Sequence, residues 1–169
     1  INAGNIENKG VEIALNATPV MTETGFTWDT QLNWSKNKNK VVSLTNDTKE
    51  QILSDASVSF LKIVAHEGGA FGDIYGYAYE RDDNGNMKIG ADGVPLRTED
   101  MVLLGNNQPD WMLGWSNTFT YKNFTLNFML DMRKGGDVYM GSIRTGTANG
   151  TLDMTLDGRE NGIVVPGVL

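Results

Sequence analysis

Residues 110–133 read DWMLGWSNTFTYKNFTLNFMLDMR, two arms in which apolar and polar side chains alternate. This period of two is typical of β-strands with one apolar face. If Lys122 and Asn123 form a two-residue turn, Tyr121 lies opposite Phe124 and the apolar faces of the two arms coincide. Only Asn117 interrupts the apolar face of the first arm. The segment therefore predicts a hairpin of two antiparallel strands that share an apolar face.

A second hairpin of the same kind lies near the N-terminus. Its arms are Val11 to Pro19 and Phe26 to Ser35, joined by a short connection at Met21 to Gly25. Thr30 is the one polar residue on the apolar face of its second arm. Each arm has the roughly nine to eleven residues that a tilted strand needs to cross a bilayer, whereas strands of soluble proteins average about five or six. Aromatic residues near both ends of the arms suggest the girdles of a membrane barrel.

The predicted fold class is therefore all-β: an antiparallel meander from a transmembrane β-barrel, with four long strands in two hairpins and long extracellular loops. The apolar members of the alternation are predicted to face lipid. They are Trp28, Leu32, Trp34, Trp111, Leu113, Trp115, Phe119, Tyr121, Phe124, Leu126, Phe128 and Leu130.

Barrel parity divides the chain into four segments. Residues 1–44 and 110–140 are predicted as barrel hairpins whose short turns are periplasmic. Residues 45–109 form a long extracellular loop, and residues 141–169 form a further, truncated extracellular loop. Lys36 to Lys40 would then mark the exit from the bilayer.

The long loop is expected to contain structure of its own, because connections of this length are uncommon without it. Asp47 to Val64 is interpreted as a helical turn or two, and Glu67 to Asp73 as too rich in glycine for a regular element. The alternating Tyr75, Tyr77 and Tyr79 follow. Asp83 to Asn86 then predicts a hairpin turn, with Met87 to Ile89 as the returning strand.

Composition excludes several function classes. The formal net charge of −7 and the pI near 4.6 disfavour nucleic-acid binding, which needs a basic surface. The chain has no cysteine, so it has neither disulfides nor thiolate metal sites. A mean hydropathy of −0.31 would suit a soluble domain, but alternation keeps the average low in membrane barrels too.

Several stretches resemble the C-terminal region of the SusC/RagA family of TonB-dependent outer-membrane transporters. In chain order they are Asn5 to Ile13, Phe71 to Tyr77, Leu104 to Trp111 followed by Gly114, Tyr121 to Phe124, and Gly162 to Val168. The resemblance spans nearly the whole chain, and the stretch from Leu104 to Phe124 is its most specific part.

The resemblance implies a barrel of about 22 strands filled by an N-terminal plug. It further implies a periplasmic box that engages the TonB complex and a SusD-like surface lipoprotein that acts as a lid. Members import oligosaccharides or, in some branches, peptides across the outer membrane of Gram-negative cells. We expect this chain to be a piece of such a receptor, contributing barrel wall and outer loops while plug and TonB box lie elsewhere.

Candidates for catalysis and metal binding are few. His66 is the only histidine and is interpreted as a loop surface residue, since no nucleophile motif accompanies it. The neighbouring acids Asp82-Asp83 and Glu99-Asp100 are interpreted as solvated loop residues. The run from Asp82 to Asn86 could offer oxygen ligands to calcium, but hairpin geometry already explains it. We therefore expect no enzyme activity, no metal and no cofactor.

Aromatic residues of the long loop are the better ligand-binding candidates. Phe71, Tyr75, Tyr77 and Tyr79 offer flat apolar surfaces and phenol hydroxyls to a sugar or peptide, although they could instead pack a small core within the loop. Asp131 and Arg133, on the predicted pore face near the outer rim, could contact plug, lid or ligand, or only water.

The main rival hypothesis is a soluble all-β module that binds carbohydrate or acts as an adhesin. It would use the same apolar faces as the core of a sandwich.

Overall fold

The structure, a computed structural model, describes residues 4–45, 48–55 and 60–169, without the side chain of Asp55. The strands are β1 (Gly4–Met21), β2 (Phe26–Leu44), β3 (Glu50–Asp55), β4 (Leu61–His66), β5 (Phe71–Gly76), β6 (Val102–Asn106), β7 (Pro109–Tyr121) and β8 (Phe124–Gly135). Helical structure in the described part consists of α1 (Gly141–Ala148) and a short 3-10 helix (Asp153–Thr155). The predicted all-β class is confirmed.

The strands form two four-stranded sheets, with the orders β1-β2-β7-β8 and β3-β4-β5-β6. In the first sheet every neighbouring pair is antiparallel. Tyr121 lies opposite Phe124, as the sequence predicts, and opposite Phe26 on its other side. Both predicted hairpins are therefore confirmed, and they pair with each other through β2 and β7.

Lys122 has a φ of 52° in the turn between β7 and β8. A two-residue hairpin turn requires a positive φ at its first central residue, because that twist matches the twist of the flanking strands. Lysine adopts this conformation less readily than glycine, so the pairing of two long strands holds the turn in place.

Strand β2 is longer than predicted. The sequence ends its apolar alternation at Ser35, but the strand continues to Leu44 through Lys36 to Lys40. In this extension Lys36 pairs with Val11 and Lys40 with Glu7 of β1. The polar Lys-Asn repeat carries no apolar signal, so its backbone pairing was not detectable from hydrophobic periodicity.

The predicted alternation of β1 is wrong near the turn that leads to β2, because the strand contains a β-bulge there. The register shifts between Ala17 and Val20, so that Val20 lies opposite Trp28 where the sequence places Pro19. Proline has no N–H to donate to a ladder and occurs in sheets at edges or bulges. Thr18 and Pro19 together lie opposite a single residue of β2, which is the bulge. Val20 therefore joins the apolar face in place of Pro19.

The predicted helical turns between Asp47 and Val64 are wrong in the described residues. Strand β3 and the first part of β4 occupy this stretch instead, while Asp47 and residues 56–59 lie outside the described part. Glu67 to Asp73 is likewise not irregular throughout, because β5 begins at Phe71. Glycine is needed at position 72 of this strand, because its φ is 90° and an added Cβ atom would come within 2.1 Å of Asn107 Oδ1.

Two small turns follow β5. The predicted turn is confirmed: Arg81 bridges to Met87, and the Asp82 N–H donates to the Asn86 carbonyl oxygen at 2.9 Å. A second turn, not predicted, brings Ile89 opposite Pro95. The tyrosine alternation thus ends in single bridges, not in a continuous strand.

The chain divides into two compact units. One comprises residues 1–54, 63–73 and 105–137, and the other residues 55–62, 74–104 and 138–169. In the first unit Val41, Val64 and Ala65 are buried. Here the β4–β5 turn is tied to β2, because Val41 N–H donates to the Gly69 carbonyl and Gly68 N–H to the Val41 carbonyl, both at 2.9 Å. The division by membrane side into 1–44, 45–109, 110–140 and 141–169 stays a prediction.

Candidate functional site

The first sheet presents two chemically different faces. The residues predicted to face lipid all lie on one of them, because Leu32 pairs with Trp115 and Trp115 with Leu130 in the same row. The opposite face carries Gln31, Ser116 and Met129 in the next row. On β8 the apolar side chains are exposed within this chain, Phe124 to 79% and Leu126 to 62%. That exposure leaves a continuous apolar surface.

Aromatic rings cover the apolar face close to the two short turns. Phe119 stacks on Trp28 with ring centres 5.7 Å apart and on Phe128 at 6.0 Å. The ring centre of Phe26 lies 6.3 Å from that of Phe119. Because these residues come from β2, β7 and β8, the rings link three strands through side-chain contacts as well as backbone pairing.

The two polar residues that interrupt the apolar alternation of the predicted arms are partners. Thr30 and Asn117 lie directly opposite each other, and the Thr30 hydroxyl donates to Asn117 Oδ1 at 3.0 Å. The Trp28 indole N–H also donates to Asn117 Oδ1 at 3.0 Å, and the Trp115 indole N–H donates to Thr30 Oγ1 at 2.8 Å. Asn117 is 1% exposed, and its Nδ2 has no hydrogen-bond partner among the described residues.

This cluster explains how polar side chains persist on an apolar surface. A polar group facing hydrocarbon is costly unless it is hydrogen-bonded. The sequence showed Thr30 and Asn117 as isolated interruptions of the two arms. Their pairing depends on the register between β2 and β7, because the two residues lie 87 positions apart in the chain.

The polar face carries Asp131 and Arg133, the strand residues proposed to contact a ligand, plug or lid. Asp131 lies opposite Gly114 and lines a cavity of about 560 Å³ together with Asn33 and Glu12. Arg133 donates from Nη2 to the Asn107 carbonyl oxygen at 2.9 Å. The structure therefore places both side chains on the expected face, with Arg133 holding the segment before β7.

The four aromatic ligand candidates are divided between the two compact units. Phe71 belongs to the first compact unit, and Tyr75, Tyr77 and Tyr79 to the second. The Arg97 guanidinium lies 4.1 Å from the ring centre of Tyr77, so one face of that ring is already covered. Tyr79 is 55% exposed. Their role in ligand binding stays a prediction.

A buried polar network was missed by sequence reasoning. Asp73 is 5% exposed, and its carboxylate accepts hydrogen bonds from Asn106 Nδ2 at 2.8 Å and from the Ala70 N–H at 3.1 Å. His66 Nε2 lies 3.0 Å from Asp73 Oδ2. His66 is thus a partner of a buried carboxylate in the β4–β5 hairpin, not a free surface residue. Neither spacing nor composition links it to Asn106, forty residues later.

The Asp82 carboxylate closes the predicted turn through hydrogen bonds. Its carboxylate accepts hydrogen bonds from Asn86 Nδ2 at 3.0 Å and from the N–H groups of Asn86 and Asn84 at 2.8 and 3.0 Å. These bonds, that of the Asn86 amide above all, lower the pKa of Asp82. Over residues 4–45, 48–55 and 60–169, no three acidic or histidine side chains are grouped as metal ligands.

None of the described helices is both long and apolar enough to span a bilayer.

Comparison with known proteins gives clear relatives. TonB-dependent receptor P3 of Formosa agariphila is 32% identical over 178 residues, which cover 90% of this chain and 18% of the relative. TonB-dependent receptor SusC of Bacteroides thetaiotaomicron is 30% identical over 149 residues, 82% of this chain and 15% of the relative. The chain belongs to the SusC/RagA family of TonB-dependent receptors.

The SusC/RagA assignment agrees with the fold. A solved structure of the RagAB peptide transporter superposes with a TM-score of 0.56 at 17% identity, over 77% of this chain and 15% of that one. No family model matches the chain. The chain spans less than a fifth of the length of the curated relatives that it matches, and those relatives are named as receptors, not enzymes. The predicted membership and the predicted barrel-type meander are both confirmed.

Proposed function

We propose that this chain is a wall and outer-loop segment of a TonB-dependent receptor that imports nutrients across the outer membrane. The main observation in support of this proposal is that the first sheet has one apolar and one polar face along strands of 12 to 19 residues. Such strands are long enough to cross a bilayer, and full closure of the barrel would satisfy their edges.

In the proposed orientation the apolar face contacts lipid. Odd positions of β7 from Trp111 to Tyr121 and even positions of β8 from Phe124 to Leu130 point outward, and Asp131 and Arg133 point into the pore. The hydrogen bonds around Asn117 support this orientation, because they pair Asn117 Oδ1, the Thr30 hydroxyl and the indole N–H groups of Trp28 and Trp115, which would otherwise face acyl chains unpaired.

The remaining partners follow from the family. We propose that a SusD-like lipoprotein covers the outer face and that the TonB complex acts through a plug region outside this chain. The ligand is an oligosaccharide or a peptide: the first is what the family resemblance implies, and the peptide transporter RagAB supports the second. Phe71, Tyr75, Tyr77 and Tyr79 in the outer loops are proposed to contact the ligand.

Cysteine scanning of the full-length receptor in outer membranes tests the orientation. This chain contains no cysteine, so single cysteines can be placed at each position from Leu126 to Leu130. We expect cysteines in place of Asn127 and Met129 to react with a charged thiosulfonate, and cysteines in place of Leu126, Phe128 and Leu130 to resist it. Labelling by the charged reagent at all five positions would reject the membrane wall and favour a soluble carbohydrate-binding or adhesin module.

A further inference from the structure

A cluster of lysines lies at one end of the apolar face of the first sheet. Beyond Trp34 that face continues along β2 through three exposed residues of the same parity. They are Lys36, Lys38 and Lys40. On β1, Lys9 lies opposite Lys38, and no register shift separates this pair from the apolar pair of Ile13 and Trp34. The lysines therefore extend the apolar face past its last aromatic residue on β2.

Strand β8 contributes a further lysine to the same face. Ser35 of β2 and Arg133 of β8 share a row through β7, so the next residues, Lys36 and Lys134, lie at one level. Lys134 is exposed and lies opposite Trp111. Tryptophan collects at the boundary between the polar and apolar parts of a bilayer. We call this set the lysine band, and its members are Lys9, Lys36, Lys38, Lys40 and Lys134.

The lysine band is positively charged, although the whole chain has a formal net charge of −7. Lys9 forms an ion pair with Glu7. Asp110 lines a cavity of about 400 Å³ together with Lys36 and Lys38, but these two lysines form no ion pair with any residue in the described part of the chain. Against these two carboxylates the five lysines leave an excess of positive charge.

Lysine side chains suit this place at a membrane surface. Their methylene stems lie against apolar surface, while the ammonium groups reach the level of the lipid headgroups. Lysines close to a membrane attract anionic headgroups, and an ammonium group binds phosphate as a point charge. Because apolar surface continues directly below the band, the partner that fits it combines a phosphate with acyl chains.

We propose that the lysine band binds the phosphate groups of an anionic outer-leaflet lipid, whose acyl chains lie along the apolar face of β1 and β2. This inference rests on the proposed function, in which that face contacts lipid and the lysines lie at the outer rim. Below the lysines, Ile13 and Leu15 of β1 are 51% and 57% exposed, so this apolar surface is open to acyl chains. The cavity beside Lys36 and Lys38 provides a recess for one phosphate.

Binding of lipid A to the full-length receptor tests the site. Receptor purified in a neutral detergent is mixed with lipid A that carries two phosphates, or with the same lipid after removal of its phosphates, and bound lipid is counted by native mass spectrometry. We expect the phosphorylated lipid to bind more tightly by roughly tenfold or more. An equal concentration of inorganic phosphate is expected not to displace it. Equal binding of the two lipids, or displacement by inorganic phosphate, would overturn the proposal.

Substitutions locate the binding in the lysine band. Lys36→Gln with Lys38→Gln removes two charges, and each is expected to weaken binding of lipid A by about fivefold, or roughly 25-fold for the pair. Lys36→Arg with Lys38→Arg keeps both charges and should retain binding. Lys88→Gln with Lys122→Gln makes the same change in net charge outside the band and should bind like wild type. Equal losses in the two glutamine pairs would overturn the proposal, because net charge alone would then explain them.

The outcomes separate this inference from the proposed function. Heat-modifiable gel mobility shows whether each protein forms a barrel. If wild-type receptor is a barrel in the outer membrane while Lys36→Gln with Lys38→Gln binds lipid A like wild type, the lipid site alone is wrong. If wild-type protein is not an outer-membrane barrel, the proposed function fails. Should that pair not fold, Lys134→Gln, expected to weaken binding about fivefold, carries the comparison, and unchanged binding overturns the lipid site.

Discussion

Phe128 is the single side chain at which the proposed lipid-facing surface can be tested most directly. It stacks on Phe119 and lies opposite Asn117, in the middle of β8. In the full-length receptor Phe128→Arg is expected to reduce the free energy of folding into vesicles by about 2–4 kcal/mol if the site is near the bilayer midplane. Urea titration followed by heat-modifiable gel mobility measures it.

Thr118→Arg is the matched control for Phe128→Arg. Thr118 lies on the polar face of β7, one row away, where a long cation can reach water in the pore. We expect its effect to be clearly smaller. Equal losses of folding free energy for Phe128→Arg and Thr118→Arg would contradict the proposal that one face of the sheet contacts lipid and the other contacts water.

Asp82 provides a pH-dependent prediction at the same scale. The hydrogen bonds from Asn86 and Asn84 lower the pKa of Asp82 in the folded state. The ionised carboxylate therefore stabilises the turn fully at pH values above the pKa of Asp82 in the unfolded chain, about 3.9. This stabilisation is lost only as the pH falls through the lower folded value. Asp82→Ala is therefore expected to speed amide exchange of residues 79–88 at pH 6 and pH 4 alike, with the difference from wild type shrinking at more acidic pH.

Asp83→Ala serves as the control for the Asp82 experiment. Asp83 is the adjacent carboxylate, is exposed, and has no hydrogen bond to the described residues. Its exchange rates should match those of wild type throughout. A difference that grows as the pH falls below 4 would contradict the lowered pKa of Asp82.

At the scale of elements, the β4–β5 hairpin is expected to depend on Asp73. Asp73→Asn keeps the shape but turns an acceptor into an amide that faces donors from Asn106 and Ala70. Leaving buried donors unsatisfied costs about 1–3 kcal/mol. Amide exchange of residues 61–76 in the intact receptor should therefore accelerate by roughly 5- to 150-fold if exchange proceeds by local opening.

Glu67→Gln is the control in the same hairpin, because Glu67 is exposed and lies at the turn. It should leave exchange of residues 61–76 unchanged. Equal acceleration by both substitutions would show that the general charge of the hairpin matters, not the buried network of Asp73.

The elements also show what sequence alone can and cannot determine. The pairing of Tyr121 with Phe124 was predictable, because strict alternation and a two-residue turn leave one register that aligns the apolar faces. The bulge at Thr18 and Pro19 was not, because it exchanges Pro19 for Val20 on that face without breaking the apolar composition. The extension of β2 beyond Ser35 was missed because a polar strand has no hydrophobic period.

The candidate site shows the same limit. Alternation along β8 is enough to place Asp131 and Arg133 on the polar face. It gives no sign that Thr30 and Asn117 meet, or that His66 and Asn106 share Asp73, because those contacts join segments far apart in sequence. Periodicity reports which face a side chain occupies. Only the pairing of distant strands decides which side chain it contacts.

At the scale of the whole molecule, the chain's edges and its apolar face predict its behaviour in isolation. Strands β1 and β8 form the two edges of the first sheet, and Phe124 and Leu126 on β8 are exposed. Unpaired edges with exposed apolar side chains promote association. Expressed alone without detergent, the 169-residue chain is expected to aggregate, as measured by sedimentation velocity.

A matched pair of variants distinguishes the cause of this aggregation. Replacing Phe124, Leu126 and Phe128 by serine removes apolar surface from the proposed lipid face and is expected to raise the soluble fraction several-fold. Replacing Thr125 and Asn127 by serine changes the opposite face of the same strand and should leave aggregation unchanged. A wild-type chain that sediments as a monomer and unfolds cooperatively would contradict the barrel wall, because a sandwich core would then have to shelter the rings that we assign to lipid.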